Sequence, residues 1–449
     1  MLTSRIKTVR TIVSEIILFQ TVLLPVLVVG LLYLRTANRV ISFIFPVLVY
    51  AIAYIIISDV IQSAILLRSN RIEKGIKYSI NHYLLLRLVR ISLLDAGYYV
   101  RRQFFGIDVA KLPKIYIEFS DNYAYGLIKI ENKIRYEQRL DNIELSSSLG
   151  KYIVETSYLS PDENYYCFDF FNSNINRKLR FDSNEELLQY SNNLDDNMLF
   201  IDSLSQVPLH HTLIVGQTGS GKTYALYSLI LQMINKKINY HLYVADPKGS
   251  SLAVIGEKIS PNNTFENVDD IIQSLREFNH EMDERKHRIK EKLLTKIDSS
   301  YVDFGLEPYV FIFDEYASFQ SVIQSKDKKT RDEVNKLISQ IVLQGRQLGF
   351  FLFVVMQKSD SSSLPTMIRD NLPLKIVLGN AEEQTYVTAF GYSKDIPNYK
   401  FNIGEGVFTF PQIANNPKIC AFSYLNFNIL DALEKSGGNV ITPAPLKNN

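Results

Sequence analysis

The chain has few of the residues that zinc sites and disulfide frameworks require. Its 449 residues include 2 cysteines and no tryptophan. Cys167 and Cys420 lie far apart and lack metal-type spacing, which disfavours a zinc site and a secreted, disulfide-bonded fold. Charge of one sign is also lacking, since 49 Lys and Arg face 47 Asp and Glu. The net charge of +2 therefore indicates no nucleic-acid partner by itself, and any basic surface must be local.

Two apolar runs near the N-terminus predict a membrane anchor. Thr11–Leu34 and Val40–Ile57 each approach the ~20 residues that cross a bilayer, and the short connection between them predicts an antiparallel hairpin. Basic residues precede the first run and follow the second, which places both termini on the cytoplasmic side. Asp59, at the end of the second run, fits an interfacial position better than a proton relay. The alternative is a pair of buried core helices.

The remaining chain divides by pattern into a middle segment and an α/β segment. We expect a membrane anchor with two transmembrane helices at 1–69, a small cytoplasmic α+β domain at 70–204, an α/β domain at 205–435 and a disordered tail at 436–449. In the middle segment, helical spacing covers Ile80–Leu94 and strand-like runs follow it. These runs are Lys114–Phe119, Tyr125–Ile130 and Tyr165–Phe171. The aromatic run at 165–171 fits a half-buried strand better than a surface for stacking bases.

From about residue 205 apolar strands alternate with helical segments. The predicted strands are His211–Val215, His241–Ala245, Tyr309–Phe313, Phe350–Val355, Leu374–Leu378 and Gly406–Phe410. Helical patterns cover Val268–Ile297 and Lys328–Leu348. Near-continuous apolar strands with intervening helices predict a parallel sheet that is covered on both faces. Ligands bind such sheets outside the carboxyl ends of the strands, where Asp246, Asp314 and Gln357 fall.

A complete P-loop follows the first of these strands. The residues expected to hold a nucleoside triphosphate are Gly216, Gln217, Thr218, Gly219, Ser220, Gly221, Lys222 and Thr223. Glycines let successive backbone N–H groups face the phosphates at a helix N-terminus. Lys222 would reach the β- and γ-phosphates of ATP, and the hydroxyl of Thr223 would ligate Mg²⁺. The alternative is a Gly- and Ser-rich turn that matches by chance.

Four residues downstream complete a candidate hydrolysis site. Asp314 follows an apolar strand and is expected on the Mg²⁺ side of the nucleotide, and Glu315 is placed to orient and deprotonate water. The alternative is that both merely cap the next helix. Gln357 is placed to contact the γ-phosphate or the water. Arg346 suits an arginine finger acting in a neighbouring subunit, or else an interaction with its own helix C-terminus or a surface ion pair.

Taken together, five motifs resemble the FtsK/SpoIIIE-type DNA translocase domain over roughly residues 205–425. They are residues 216–223, 245–249, 311–315, 345–357 and 368–373. The resemblance implies a RecA-like P-loop motor that assembles as a ring, a homo-hexamer, around DNA. It also implies that Asp246 and Lys248 lie between nucleotide and channel, and that Arg369 is a second candidate for contacting a neighbouring subunit.

Within that family the sequence is especially similar to the coupling proteins of Gram-positive conjugative transposons and plasmids. One hairpin, no long linker and too short a C-terminal segment for a winged helix separate it from the chromosome-segregating members. The implied function is an ATP-driven DNA translocase at the bacterial cytoplasmic membrane, with a relaxase–DNA complex and secretion-channel proteins as partners. Three alternatives stay open: a chromosome-partition translocase, a type VII-like protein-secretion ATPase, and a nucleotide-binding docking scaffold.

Overall fold

The computed structural model describes residues 71–104, 107–133, 145, 149–295, 299–357, 364–392, 396–397 and 399–436. The predicted membrane hairpin lies outside these residues, as does the expected tail from residue 437 onward. No helix in the described part of the chain is long and apolar enough to cross a bilayer.

The chain forms two compact units that divide between Ile175 and Asn176. This division comes earlier than residue 205, where the α/β domain is expected to begin. The segment in between joins the second unit: Arg180 and Phe181 form a short parallel ladder with Tyr424 and Leu425. Phe181 also lies in the hydrophobic core of that unit.

The described residues of the first unit form one long helix and antiparallel strands. Its elements are α1 (Ile76–Asp95), β1 (Val100–Phe104), β2 (Ile107–Lys111), β3 (Ile115–Phe119), β4 (Tyr125–Glu131), β5 (Tyr152–Leu159) and β6 (Tyr165–Asn172). Strands β3, β4, β6 and β5 form one antiparallel sheet in that order, and β1 pairs with β2. Leu85 and Val89 of α1 share a buried core with Ile117, Ile128 and Phe168 of the sheet. The aromatic run of β6 is thus a strand with buried and half-buried positions.

The second unit alternates strands and helices. Its strands are β7 (Arg180–Phe181), β8 (Met198–Phe200), β9 (Gln206–Pro208), β10 (Thr212–Gly216), β11 (His241–Ala245), β12 (Thr264–Phe265), β13 (Tyr309–Phe313), β14 (Phe350–Met356), β15 (Leu374–Leu378), β16 (Glu405–Phe410), β17 (Ala414–Ala421) and β18 (Tyr424–Leu425). Its helices are α2 (Asn184–Ser191), α3 (Lys222–Ile234), α4 (Ser251–Ile259), α5 (Val268–Thr295), α6 (Tyr316–Ser325), α7 (Lys328–Leu348), α8 (Thr366–Asp370), α9 (Glu383–Phe390) and α10 (Ile429–Ser436).

An eight-stranded sheet organises this unit, in the order β12-β11-β13-β14-β10-β15-β16-β17. The six strands from β12 to β15 are mutually parallel. All seven residues of β14 are buried, as a strand covered on both faces requires. The expected α/β class with a parallel sheet is therefore confirmed.

One edge of the sheet departs from the prediction. The predicted strand at 406–410 was grouped with the parallel strands, but β16 runs antiparallel to β15 and forms a hairpin with β17. Its apolar run is buried like that of a parallel strand, so sequence periodicity could not reveal its direction. The sheet is consequently mixed, with a parallel centre and an antiparallel edge.

Candidate active site

Because of the strand order, most of the predicted site residues lie together at the carboxyl ends of neighbouring strands. Strand β10 lies between β14 and β15, and β13 lies beyond β14, next to β11. Because all of these strands are parallel, their carboxyl ends open on the same side. The P-loop, Gln357, Asp314 and Asp246 follow those ends directly.

The P-loop has the backbone shape of an anion cradle. Gly219 and Gly221 have φ values of 83° and 98°, and α3 begins at Lys222. A Cβ at Gly221 would lie 2.7 Å from the backbone nitrogen of Gly404, so a larger residue would not fit. The Lys222 ammonium donates to the carbonyl of Gln217 at 3.2 Å. The buried Ser220 hydroxyl has no hydrogen-bond partner within the described structure, which leaves it available to a ligand. These features fit a bound triphosphate.

A small cavity of about 320 Å³ adjoins the P-loop on the β15 side. It is lined by Gln217, Thr218, Gly219, Ser220, Leu378, Gly379, Asn380, Phe401, Asn402 and Ile403. Asn380 and the backbone of Phe401 exchange two hydrogen bonds, of 2.9 and 3.0 Å, which hold the 401–404 loop against the strand end. Sequence reasoning missed this wall, because the loop lies about 180 residues after the P-loop and carries no motif.

Asp246 and Asp314 meet through a serine hydroxyl. Ser250 Oγ donates to Asp246 Oδ2 at 2.6 Å and lies 3.4 Å from Asp314 Oδ2. Asp246 is fully buried and also accepts backbone N–H groups of Lys248, Ser250 and Ala253. Burial, followed by the negative charge of Asp246, raises the pKa of Asp314 to about 6. Like the 401–404 loop, Ser250 belongs to the site although no sequence motif indicated it.

Glu315 occupies a strained position beside Asp314. Its backbone lies in the left-handed region, with φ 48° and ψ 48°, at the N-cap of α6. Such a conformation in a non-glycine residue costs about 1–3 kcal/mol and is found most often at functional sites. Its N–H donates to Asp314 Oδ1 at 3.0 Å, and its carboxylate forms an ion pair with the Lys248 ammonium.

Lys222 lies within the electrostatic reach of the acid pair. Burial lowers its pKa, and the carboxylates of Glu315 and Asp314 oppose that effect. The Lys248 ammonium adds to the lowering, so two cations and two acids act on one another here. The carboxylate of Asp314 and the hydroxyl of Thr223 are oxygen ligands of the kind that Mg²⁺ prefers. The residues present therefore fit a Mg²⁺–nucleotide complex.

Gln357 lies at the end of β14, exposed, between the P-loop strand and the strand before Asp314. This is the position that the sequence predicts for it.

Arg346 lies at the other end of the parallel strands, where β14 begins. It is an exposed residue in the last turn of α7, just before β14 begins. With His210 and His211, which precede β10, it lines a separate cavity of about 350 Å³. Burial, together with the charge of Arg346, lowers the pKa of His210 to about 4. The five residues of β10 span about 16 Å, so Arg346 is remote from the P-loop of its own chain.

Arg369 has a local partner. Its guanidinium contacts the carboxylate of the adjacent Asp370 at 2.8 Å and is mostly buried. This contact holds the side chain against its own helix in the isolated chain.

The part of the chain that contains the P-loop is similar to a known protein family. Residues 179–310 match the model of the FtsK/SpoIIIE family. The FtsK domain-containing protein YdcQ of Bacillus subtilis (strain 168) is 27% identical over 289 residues, which cover 63% of this chain and 56% of that protein. The DNA translocase FtsK of Borreliella burgdorferi is 28% identical over 179 residues, which cover 37% of this chain and 22% of that protein. The chain thus spans about half or less of the length of these curated relatives.

Two solved structures show similar chains at low identity. The pCW3 conjugation coupling protein TcpA, determined with ATPγS, aligns with a TM-score of 0.48 at 18% identity, covering 73% of this chain and 93% of that one. The cytoplasmic domain of the type VII secretion ATPase EccC of Thermomonospora curvata aligns with a TM-score of 0.45 at 15% identity, covering 56% of this chain and 33% of that one. Residues 179–310, which include the P-loop, are thus similar to the FtsK/SpoIIIE family.

Proposed function

We propose that the chain is a membrane-anchored, ATP-driven DNA translocase that acts as the coupling protein in conjugative DNA transfer. The observation that carries the proposal is the convergence of the P-loop, Asp314 and Glu315 at the carboxyl ends of the parallel strands, in a chain whose residues 179–310 match the FtsK/SpoIIIE family model. A nucleotide-binding scaffold without turnover would need no paired acids at that edge.

In the proposed site each residue has one task. The P-loop N–H groups and Lys222 would bind the β- and γ-phosphates, while Thr223 and Asp314 would hold Mg²⁺. Bound there, Mg²⁺ would neutralise negative charge on the phosphates. Glu315 orients a water molecule and accepts its proton, and Gln357 contacts the γ-phosphate or that water. The cavity beside the P-loop takes the nucleoside end of ATP.

We further propose a homo-hexameric ring in which Arg346 acts in the site of a neighbouring subunit. Arg346 lies at the end of the strands opposite to its own P-loop, and this position supports action in a neighbouring subunit. The alternative role at its own helix C-terminus is compatible with its place in the last turn of α7.

DNA as the cargo is supported by the relative named as a DNA translocase, which is 28% identical over 179 residues. Conjugation rests on the sequence resemblance to coupling proteins, and the anchor in the bacterial cytoplasmic membrane rests on the two apolar runs of the N-terminus. A relaxase–DNA complex and channel proteins are the partners that this role requires.

Two variants test the site assignment. Lys222→Ala should lose ATP binding, because it removes the cation that faces the phosphates. Glu315→Gln should bind ATP with near-normal affinity while kcat falls by about 10²–10⁴-fold, since only the proton acceptor is lost. Binding of a fluorescent ATP analogue and release of phosphate by the full chain measure these effects. Normal turnover in both variants would refute the assignment.

A further inference from the structure

The proposed general base is held by a lysine. The Lys248 ammonium contacts Oε2 of Glu315, although the two residues are 67 positions apart in sequence. The side chain of Glu315 is 13% exposed and that of Lys248 is 47% exposed. One partner is therefore enclosed in the site, while the other reaches it from solvent.

This contact competes with the task proposed for Glu315. A general base needs a free carboxylate oxygen directed at water, and an ammonium group can only donate hydrogen bonds. While Lys248 contacts Oε2, a water molecule must compete with the ammonium group for that oxygen. The left-handed backbone of Glu315 and the hydrogen bond of its N–H to Asp314 fix its main chain, so Lys248 restrains the side chain alone.

Lys248 can leave without disturbing the rest of the site. Its backbone N–H is fixed by Asp246 Oδ1 at 3.2 Å, and the following Gly249 turns the chain with a φ of 57°. Only the flexible four-carbon stem has to rotate, and nearly half of it is already in solvent. A phosphate oxygen is a strong acceptor for such an ammonium group.

We propose that Lys248 is a phosphate-responsive restraint on Glu315. It holds the carboxylate when no DNA is bound, and a phosphodiester of the DNA backbone draws the ammonium away and frees the base. This inference rests on the proposed function and deepens it, because it links DNA contact to ATP hydrolysis through one positioning residue. The γ-phosphate of ATP has the same chemistry, and the experiment below separates the two sources.

The test compares the wild-type full chain with Lys248→Met and Lys248→Arg. Without DNA, Lys248→Met should raise kcat by about fivefold, the upper end of what a partly exposed ion pair can hold back. KM for ATP should stay unchanged, and added DNA should stimulate the variant little further. Lys248→Arg keeps a cation in place and should restore stimulation by DNA. Lys336→Met, which removes an exposed lysine of α7, is the matched control and should behave as wild type.

A second readout does not depend on turnover. DNA binding by fluorescence anisotropy should weaken in Lys248→Met, and the slope of log affinity against log salt should fall by about 0.7–0.9, the value for one lost phosphate contact. Affinity for a fluorescent ATP analogue should be unchanged. If Lys248→Met does not fold, as judged by that affinity, Lys248→Gln takes its place.

Several results would overturn the proposal. A lower basal kcat in Lys248→Met would make the lysine part of the hydrolysis machinery. Weaker ATP binding with unchanged basal kcat would assign Lys248 to the γ-phosphate instead of DNA. If the wild type is stimulated by DNA and depends on Glu315, yet Lys248→Met behaves identically, only the restraint fails. If the wild type hydrolyses no ATP with or without DNA, the proposed function itself fails.

Discussion

At the residue scale, charged side chains are concentrated at the carboxyl ends of the parallel strands. Asp246 is fully buried, and three backbone N–H groups and a serine hydroxyl donate hydrogen bonds to its oxygens. Asp314 has fewer donors and lies beside Asp246, and burial with that charge raises its pKa to about 6. The two acids therefore differ in kind: Asp246 is a structural anchor of the loop, and Asp314 remains available to a cation.

Asp314 should make the stability of the nucleotide-free chain depend on pH. Its folded pKa of about 6 exceeds the ordinary value of 3.8, so the folded chain binds this proton more tightly. The stabilisation from the protonated carboxyl is present below about pH 4 and is lost as pH rises through about 6. Asp314→Asn should therefore raise Tm by about 2–4 °C at pH ~8 and change it little at pH ~4.

Thermal unfolding of the full chain at both pH values checks this prediction. Asp332→Asn, at an exposed position of α7, is the control and should leave Tm unchanged at either pH. An equal shift for Asp314→Asn at both pH values would show that burial does not act on its charge.

The sequence was sufficient for the residues that belong to motifs, and insufficient for the contacts between them. The P-loop, Asp314, Glu315 and Gln357 follow directly from the pattern of an apolar strand and the residues after it. The hydroxyl of Ser250 between two acids and the contact of Lys248 with Glu315 depend on which strands become neighbours. Strand order is set by packing of the whole sheet, and local periodicity contains no information about it.

At the element scale, apolar periodicity located the central strands and the long helices. Strands β11, β13 and β15 have the bounds that the sequence predicts, and α7 spans the predicted Lys328–Leu348. Short strands such as β8 and β9 were missed, because two or three residues are too few for a periodic pattern. Strand β5 was missed as well, and it pairs with β6 through a register shift that interrupts its alternation.

Arg346 lies at the junction between α7 and β14, where Gly345 allows a close approach of the helix to the strand. A Cβ at Gly345 would lie 2.2 Å from the backbone carbonyl oxygen of Phe350, which cannot move without disturbing the strand. Alanine usually stabilises a helix interior relative to glycine by about 1 kcal/mol. Here Gly345→Ala should instead lower the free energy of unfolding by about 1–3 kcal/mol, because the added methyl group overpacks a buried contact.

Chemical denaturation of the full chain measures this change. Lys336→Ala on an exposed position of the same helix should stay within about 0.5 kcal/mol of wild type. A stabilised Gly345→Ala variant would contradict the close approach of α7 to β14.

At the scale of the whole molecule, the proposed function joins an ATPase unit to a predicted membrane anchor and to neighbouring copies of the chain. The two compact units divide at Ile175 and Asn176, so the segment before the P-loop strand is part of the α/β unit rather than of the middle one. Sequence composition could not locate this division, because the short strand β7 contributes to the second core through the single ladder it forms with β18. In the proposed ring, Arg346 of one subunit would lie next to the P-loop of the neighbouring subunit.

Mixed assembly tests that arrangement. Lys222→Ala subunits retain Arg346, and Arg346→Ala subunits retain the P-loop, so neither forms a complete site alone. In head-to-tail rings mixed at equal ratio, about a quarter of the interfaces would combine an intact P-loop with an intact arginine. ATP hydrolysis should reappear in the mixture at about that fraction. Failure to recover activity at any mixing ratio would assign Arg346 to its own helix.

The proposed function requires that DNA contact drives ATP hydrolysis at the site formed by the P-loop, Asp314 and Glu315. Its most direct test is the rate of phosphate release by the purified full chain with and without double- or single-stranded DNA. We expect at least one DNA form to stimulate the rate in the wild type, and Glu315→Gln to lose the stimulated rate while it still binds ATP. Hydrolysis that is indifferent to both forms of DNA, or that persists in Glu315→Gln, would contradict it.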